Sequence, residues 1–460
     1  MAQQHLTLEQ MDRNAIIHPF THLKDHASPN GTQLRIIESG RGIRVVGRDG
    51  KEYIDAFAGL YCVNVGYGRS EIAAAIHEQA QKLAYYHAYA AHSNEPAIRL
   101  AHEIIELAPP GMRRIFFGLS GSDANETLIK IAWYYNNVLG RPEKKKIISR
   151  RRGYHGATVY AGSLTGLPVF HAAFDLPMPR VLHTTAPHHY WEAAPGMSER
   201  DFSRCCAADL EELIAREGAH TIAAFIGEPV LGTGGLIPPP QGYWDEIQAV
   251  LRKHDILLIA DEVICGFGRV GTPFGSHLYE MQPDLMTIAK GVTSGYLPLS
   301  GSIVGERVAQ VLEAGSEQFG PFAHGLTYSA HPLAAAAALE NLRILREEKL
   351  TENARVVGAY LLNALRAELG KHPAVGEVRG VGLLAAIEFV ADRERKERFD
   401  PSRKIGAQLA AACLNRGLIC RAMPHGDILG FAPPLIVTPR DVDVIVDIVS
   451  AAVREVLDGK

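Results

Sequence analysis

The chain has 460 residues, of which 47% are hydrophobic, and a formal net charge of −4. That length supports a large core and two or three lobes, and a charge near neutral gives no general attraction to nucleic acid or an anionic membrane. No apolar run approaches the length of a membrane span, and Met1 to Phe20 has no apolar signal-peptide core, so a soluble cytoplasmic protein is expected.

Six scattered cysteines (Cys62, Cys205, Cys206, Cys265, Cys413 and Cys420) include no C-x-x-C pair, which predicts reduced thiols. Residues 1–70 form an amino-terminal segment without clear α/β alternation. Residues 71–335 alternate helical patterns with short apolar runs bounded by Gly and Pro. The runs include Arg114 to Phe117, Ile147 to Ser149, Thr221 to Ile226, Ile256 to Asp261 and Leu285 to Ala289. Such alternation predicts an α/β domain whose sheet is largely parallel and covered on both faces.

Ser120-Gly121-Ser122 lies between a predicted strand and a helix predicted over Asp123–Gly140, with Leu128, Ile131, Ala132, Tyr135 and Leu139 on its apolar face. Small residues at a helix N-terminus suit an anion, although simple capping by Ser122 or Asp123 explains them equally well. The basic residues Lys144, Lys145, Lys146, Arg150, Arg151 and Arg152 bracket a short strand and read as its solvated ends. Tyr154-His155-Gly156 follows; its aromatic can lie against a planar ring or simply pack. His188-His189 and Cys205-Cys206 are adjacent pairs without ligand-like spacing, so no metal is expected. Gly227-Glu228-Pro229 ends another strand in an acid.

The next two runs carry the strongest signal. One ends in Asp261, with Val263 directed to the same side, and the other is followed by Lys290 and Gly291. Ligands of open α/β sheets bind at the carboxyl ends of the strands. An amine and a carboxylate delivered there suit pyridoxal phosphate (PLP) chemistry, with a structural Lys–Asp ion pair as the competing reading. Between them, Gly266 to Gly271 fits G-x-G-x-x-G, but Thr272-Pro273-Phe274-Gly275 follows where a dinucleotide site needs a helix. Residues 336–460 open with a long Ala/Leu-rich helix; Gly380 to Phe389 then reads as turn plus strand. A smaller α/β domain is expected there, completed by residues 1–70.

Ala58 to Gly68, Ser120-Gly121-Ser122, Gly153 to Gly156, Asp261-Glu262-Val263, Ala289-Lys290-Gly291 and Thr327 to Pro332 occur in an order that resembles the class III (omega) aminotransferases of PLP fold type I. The amine–pyruvate group within them is the most similar. The resemblance implies PLP, or pyridoxamine phosphate in the aminated form, and a primary amine and a keto acid as partners. Lys290 would carry the Schiff base and shuttle the proton, and Asp261 would hold the ring nitrogen protonated. Ser120, Gly121 and Ser122 would bind the phosphate with Thr327 of the partner subunit. Tyr154 and Val263 would flank the ring, with Glu228 beside it. A homodimer with shared active sites, open to pairing into a tetramer, is implied too. Arg421 matches a mobile carboxylate-binding arginine, although the loop after it is one residue longer than the group's pattern. Tyr61 stands where many relatives have tryptophan, and Phe20 and Tyr89 match pocket-lining positions. The implied reaction is ping-pong transamination from an amine to pyruvate; an ω-amino acid or polyamine (β-alanine, 4-aminobutyrate, putrescine) is the alternative donor.

Overall fold

Three sheets, built from fifteen short strands, carry the functional groups of this computed structural model, which describes residues 6–29 and 31–459. Residues 1–5 of the expected amino-terminal segment lie outside the described residues. The amino-terminal strands are β1 (Ile37–Arg41), β2 (Arg44–Gly47) and β3 (Glu52–Asp55). The central seven strands are β4 (Met112–Gly118), β5 (Lys146–Arg150), β6 (Val181–Thr184), β7 (Ile222–Gly227), β8 (Leu257–Asp261), β9 (Leu285–Ile288) and β10 (Ser300–Gly305). The carboxyl-terminal strands are β11 (Val375–Val381), β12 (Leu384–Phe389), β13 (Leu418–Ile419), β14 (Arg421–Ala422) and β15 (Ile428–Phe431).

The central sheet has the order β4-β10-β9-β8-β7-β5-β6. Its pairs from β6 to β9 are parallel, while β10 runs antiparallel to both β9 and β4. Every residue of β7, β8 and β9 is buried, as a sheet covered on both faces requires. The reversed strand β10 has no apolar run to mark it, because four of its six residues are serine or glycine. They are small for a reason: a Cβ on Gly301 would lie 2.5 Å from Ile115 Cδ1 on β4.

The structure corrects three local expectations. The helix predicted from Asp123 spans Gly121–Val138, because Ser120 is its N-cap and exchanges bonds with Asp123 in a capping box. Leu139 falls at its C-cap, 39% exposed, instead of on the apolar face. The basic stretch is a solvated strand end only in part: Arg151 is exposed and Lys145 and Lys146 are half-buried. Lys144, Arg150 and Arg152 are buried, and the Arg150 guanidinium lies 5.1 Å from the Trp244 ring while donating to the Glu228 carbonyl. Arg152 donates to the Gly234 carbonyl and bonds His188 Nδ1. Finally, Gly380 lies inside β11; the turn sits at Gly382, where φ is +54°.

The two smaller sheets place the remaining groups. Strands β1, β2, β3 and β13 form one, and β11, β12, β15 and β14 the other. β13 joins the amino-terminal hairpin in parallel, with Ile419 opposite Asp55. Both chains therefore leave the sheet at the same end, Phe57 two residues after Asp55 and Arg421 two residues after Ile419. The result is an Arg421 guanidinium 5.7 Å from the Phe57 ring. The Gly266–Gly271 segment is turn and bend, and the glycines open no helix; only the four-residue helix Gly275–Leu278 follows, past Pro273. The segment's fully buried Arg269 donates to the Leu383 and Pro433 carbonyls and, at 2.7 Å, to Asn64 Oδ1, tying three distant loops together.

Ile259, at the centre of β8, is fully buried. Ile259→Ala is expected to cost about 2–5 kcal/mol of stability, measured by denaturant unfolding followed through tryptophan fluorescence.

Candidate active site

A cavity of about 290 Å³ opens beyond the carboxyl ends of the central strands. Ser120, Gly121 and Ser122 reach it from the helix start and Tyr154 from the loop after β5. Glu228, Asp261, Val263 and Lys290 reach it from the ends of β7, β8 and β9. Eight of the residues singled out by sequence therefore share one wall.

Asp261 is only 3% exposed, so its carboxylate must be held by donors. Oδ2 lies 2.8 Å from His155 Nδ1 and accepts from Asn125 Nδ2 at 3.0 Å, and Oδ1 accepts from the Val263 N–H at 3.2 Å. Asn125 in turn accepts from the Thr287 hydroxyl at 2.6 Å and donates to the His155 carbonyl at 2.7 Å. In the sequence His155 has the character of a packing residue, and no motif marks Asn125 or Thr287. A signal existed: Asn125 lies four residues after Gly121, hence on the same helix face.

Lys290 adopts φ +49°, a left-handed conformation unusual outside glycine. Gly291 must follow it, because a Cβ there would lie 2.5 Å from Asn64 Nδ2. Burial lowers the pKa of the Lys290 amine, while Cys62, Asp261 and Glu228 pull in the opposite direction and Arg421 adds to the lowering. Glu228 is buried and its carboxyl is pushed up by that burial. Its two oxygens accept from the Tyr154 N–H at 3.0 Å and the Gly232 N–H at 2.7 Å, which fixes the start of the Tyr154 loop.

These groups fit a phosphorylated pyridine aldehyde. The N-terminus of an 18-residue helix, bearing Ser120 and Ser122, provides N–H and O–H donors for an anion. The space beside it depends on glycine: a Cβ on Gly121 would lie 2.9 Å from Val263 Cγ2, and one on Gly156 2.5 Å from Ser122 Oγ. Asp261 offers a carboxylate for a ring nitrogen, and Lys290 an amine for an aldehyde.

The other five expected residues lie outside this wall. Tyr61 is buried at φ +64°, its ring centroid 5.4 Å from Lys290 Nζ and 4.4 Å from that of Phe57. Its loop is pinned by Asp55, which accepts from the Phe57 N–H, the Gly59 N–H and the Tyr67 hydroxyl. Arg421 sits over Phe57, close enough for its charge to act on Tyr61, Tyr154 and Lys290. Phe20 is 74% exposed; its ring reaches Tyr154 only through Phe170, at centroid separations of 5.0 and 5.3 Å. Tyr89 is exposed beside Gly325, and Thr327 is exposed with its carbonyl accepting from the Tyr85 hydroxyl at 2.7 Å.

The family model Aminotransferase class-III matches residues 26–453. The diaminobutyrate–2-oxoglutarate transaminase of Halomonas elongata is 59% identical over 457 residues, 99% of this chain and 97% of that protein. Gamma aminobutyrate transaminase 1 of Solanum lycopersicum is 44% identical over 421 residues, 91% of this chain and 81% of that protein. Among solved structures, the omega transaminase of Pseudomonas jessenii in complex with PMP superposes with a TM-score of 0.96, at 44% identity and 99% coverage of both chains.

Asn125→Leu removes the donor to Asp261 and the acceptor of Thr287. It is expected to cost about 1–3 kcal/mol, seen in the thermal midpoint, and to speed loss of PLP during dialysis.

Proposed function

We propose a substrate assignment on one premise: the chain belongs to the class-III aminotransferases and is a PLP-dependent transaminase. We assign it a primary amine as donor and pyruvate as acceptor, in a ping-pong cycle. The carrying observation is the supply of positive charge. Among the described residues the cavity wall contains no arginine, and Arg421 is the guanidinium whose charge acts on Lys290 and Tyr154. One guanidinium matches an acceptor with one carboxylate, because a second carboxylate would lose water without gaining a partner. The mobile Arg421 would also clear the pocket for an apolar amine.

The side chains divide the work as follows. Ser120, Gly121 and Ser122 bind the cofactor phosphate, joined by Thr327 of the partner subunit, and Tyr154 and Val263 flank the ring. Asp261 holds a proton on the ring nitrogen, oriented by His155 and Asn125. Bound in this way, the cofactor supplies an aldehyde carbon that takes the amino group and a ring that accepts the electrons of the broken C–H bond. Lys290 anchors the cofactor until the amine displaces it. Its freed Nζ then takes the proton from the donor carbon and later returns one, a task favoured by the lowered pKa of the amine.

A homodimer is part of the same proposal, as is a cytoplasmic location. The exposed aromatics Tyr85 and Tyr328 beside Thr327, with Tyr89 against Gly325, support a partner at this edge. Among the described residues, no helix is long and apolar enough to cross a membrane. A second reading keeps the chemistry and changes the donor to an ω-amino acid or polyamine. It is favoured by the 59% identity to a diaminobutyrate–2-oxoglutarate transaminase.

Lys290→Ala is expected to abolish turnover while native circular dichroism is retained; full activity without added amine would remove the assignment. Arg421→Ala should lower kcat/KM for pyruvate by about 10–100-fold and leave the half-reaction with 1-phenylethylamine nearly unchanged. Equal losses in both half-reactions would make Arg421 structural.

A further inference from the structure

The amino-terminal segment brings together three donors that sequence spacing conceals. Asp12 lies on the helix Leu8–Ala15, His18 in the link after it, and His26 on the helix Leu23–Ala27. Asp12 Oδ1 is 2.9 Å from His18 Nε2 and 3.1 Å from His26 Nε2, and one ligand atom from each of the three residues lies within 4.8 Å of the others. We propose that Asp12, His18 and His26 bind a divalent transition-metal ion of the zinc class, clasping the segment that carries Phe20.

Two features favour an ion over a plain hydrogen-bonded cluster. A tetrahedral ion bound at about 2.0–2.2 Å separates its ligand atoms by roughly 3.3–3.6 Å, and the Asp12–His18 and Asp12–His26 separations of 2.9 and 3.1 Å need widen only slightly to admit one. Second, the His26 side chain is 6% exposed and its Nε2 has no hydrogen-bond partner, although Asp12 Oδ1 is only 3.1 Å away. A buried ring nitrogen that faces a carboxylate at 3.1 Å without hydrogen-bond geometry is available as a ligand. The site is also braced: Arg13 donates to the His26 carbonyl and, at 3.1 Å, to the Thr32 carbonyl. Two imidazoles and a carboxylate select zinc, cobalt, nickel or copper over magnesium or calcium, and three protein ligands leave a fourth position for water.

The clasp has a consequence at the active site. Phe20, two residues beyond His18, is itself at φ +53°, and its ring rests on Phe170, which rests on Tyr154. An ion holding His18 to Asp12 and His26 fixes the chain that presents Phe20.

The test uses tag-free, chelator-treated holoenzyme titrated with Zn²⁺ by calorimetry and with Co²⁺ by visible absorbance. One equivalent per chain is expected, with a rise in thermal midpoint on saturation. His26→Gln and Asp12→Asn should each weaken binding by at least about tenfold and remove the rise, with unchanged circular dichroism in the absence of metal. His22→Gln, whose ring is exposed on the same segment, should bind as the wild type does. Absence of binding, or binding indifferent to both ligand substitutions, overturns the site; binding without stabilisation overturns the clasp. None of these readouts depends on which amine or keto acid is used.

Discussion

A carboxylate kept almost dry at the end of a strand is the constraint from which the rest of the site follows. Asp261 stays in that position because His155, Asn125 and the Val263 N–H replace its lost hydration. Asn125 also reaches Thr287, which lies directly opposite Asp261 in the β8–β9 pairing. One amide thus spans two adjacent strand ends and fixes the helix that bears the Ser120–Ser122 turn. Correct placement of that turn and correct placement of the acid are therefore one event.

Around this rigid centre the backbone is under local stress. Ala58, Tyr61 and Lys290 all have positive φ, each costing of order 1–3 kcal/mol. Such conformations persist when the surroundings over-determine them. Here Asp55 binds the Phe57–Gly59 turn, and Arg269 and Asn64 brace the turn facing Lys290 and Gly291. The parallel pairing of β13 with β3 then delivers Arg421 to the same corner. Groups from residue 55 to residue 421 converge because two small sheets end at one place.

The strands that terminate in Glu228, Asp261 and Lys290 were legible because buried apolar runs ending in charge have few structural explanations. The small-residue turn at Ser120 was legible for a similar reason. β10 was not, since its serines and glycines follow from packing against β4, which no local pattern encodes. Lys144, Arg150 and Arg152 misled because charge alone predicts exposure, whereas these side chains find carbonyls, an imidazole and one indole face inside the fold. The partners of Asp261 come from three separate elements, and only the tertiary structure brings them together. The triad of Asp12, His18 and His26 is hidden by the same dispersion, its spacing matching no short motif.

The central claim is that this site moves an amino group from a carboxylate-free amine to a keto acid with one carboxylate. The most direct measurement follows the visible absorbance of the purified holoenzyme during addition of 1-phenylethylamine and then of pyruvate or 2-oxoglutarate. The account predicts loss of the lysine-bound cofactor band with the amine and its return with pyruvate in preference to 2-oxoglutarate. Bleaching by 2,4-diaminobutyrate or 4-aminobutyrate but not by the aryl amine, with recovery only on 2-oxoglutarate, would contradict it.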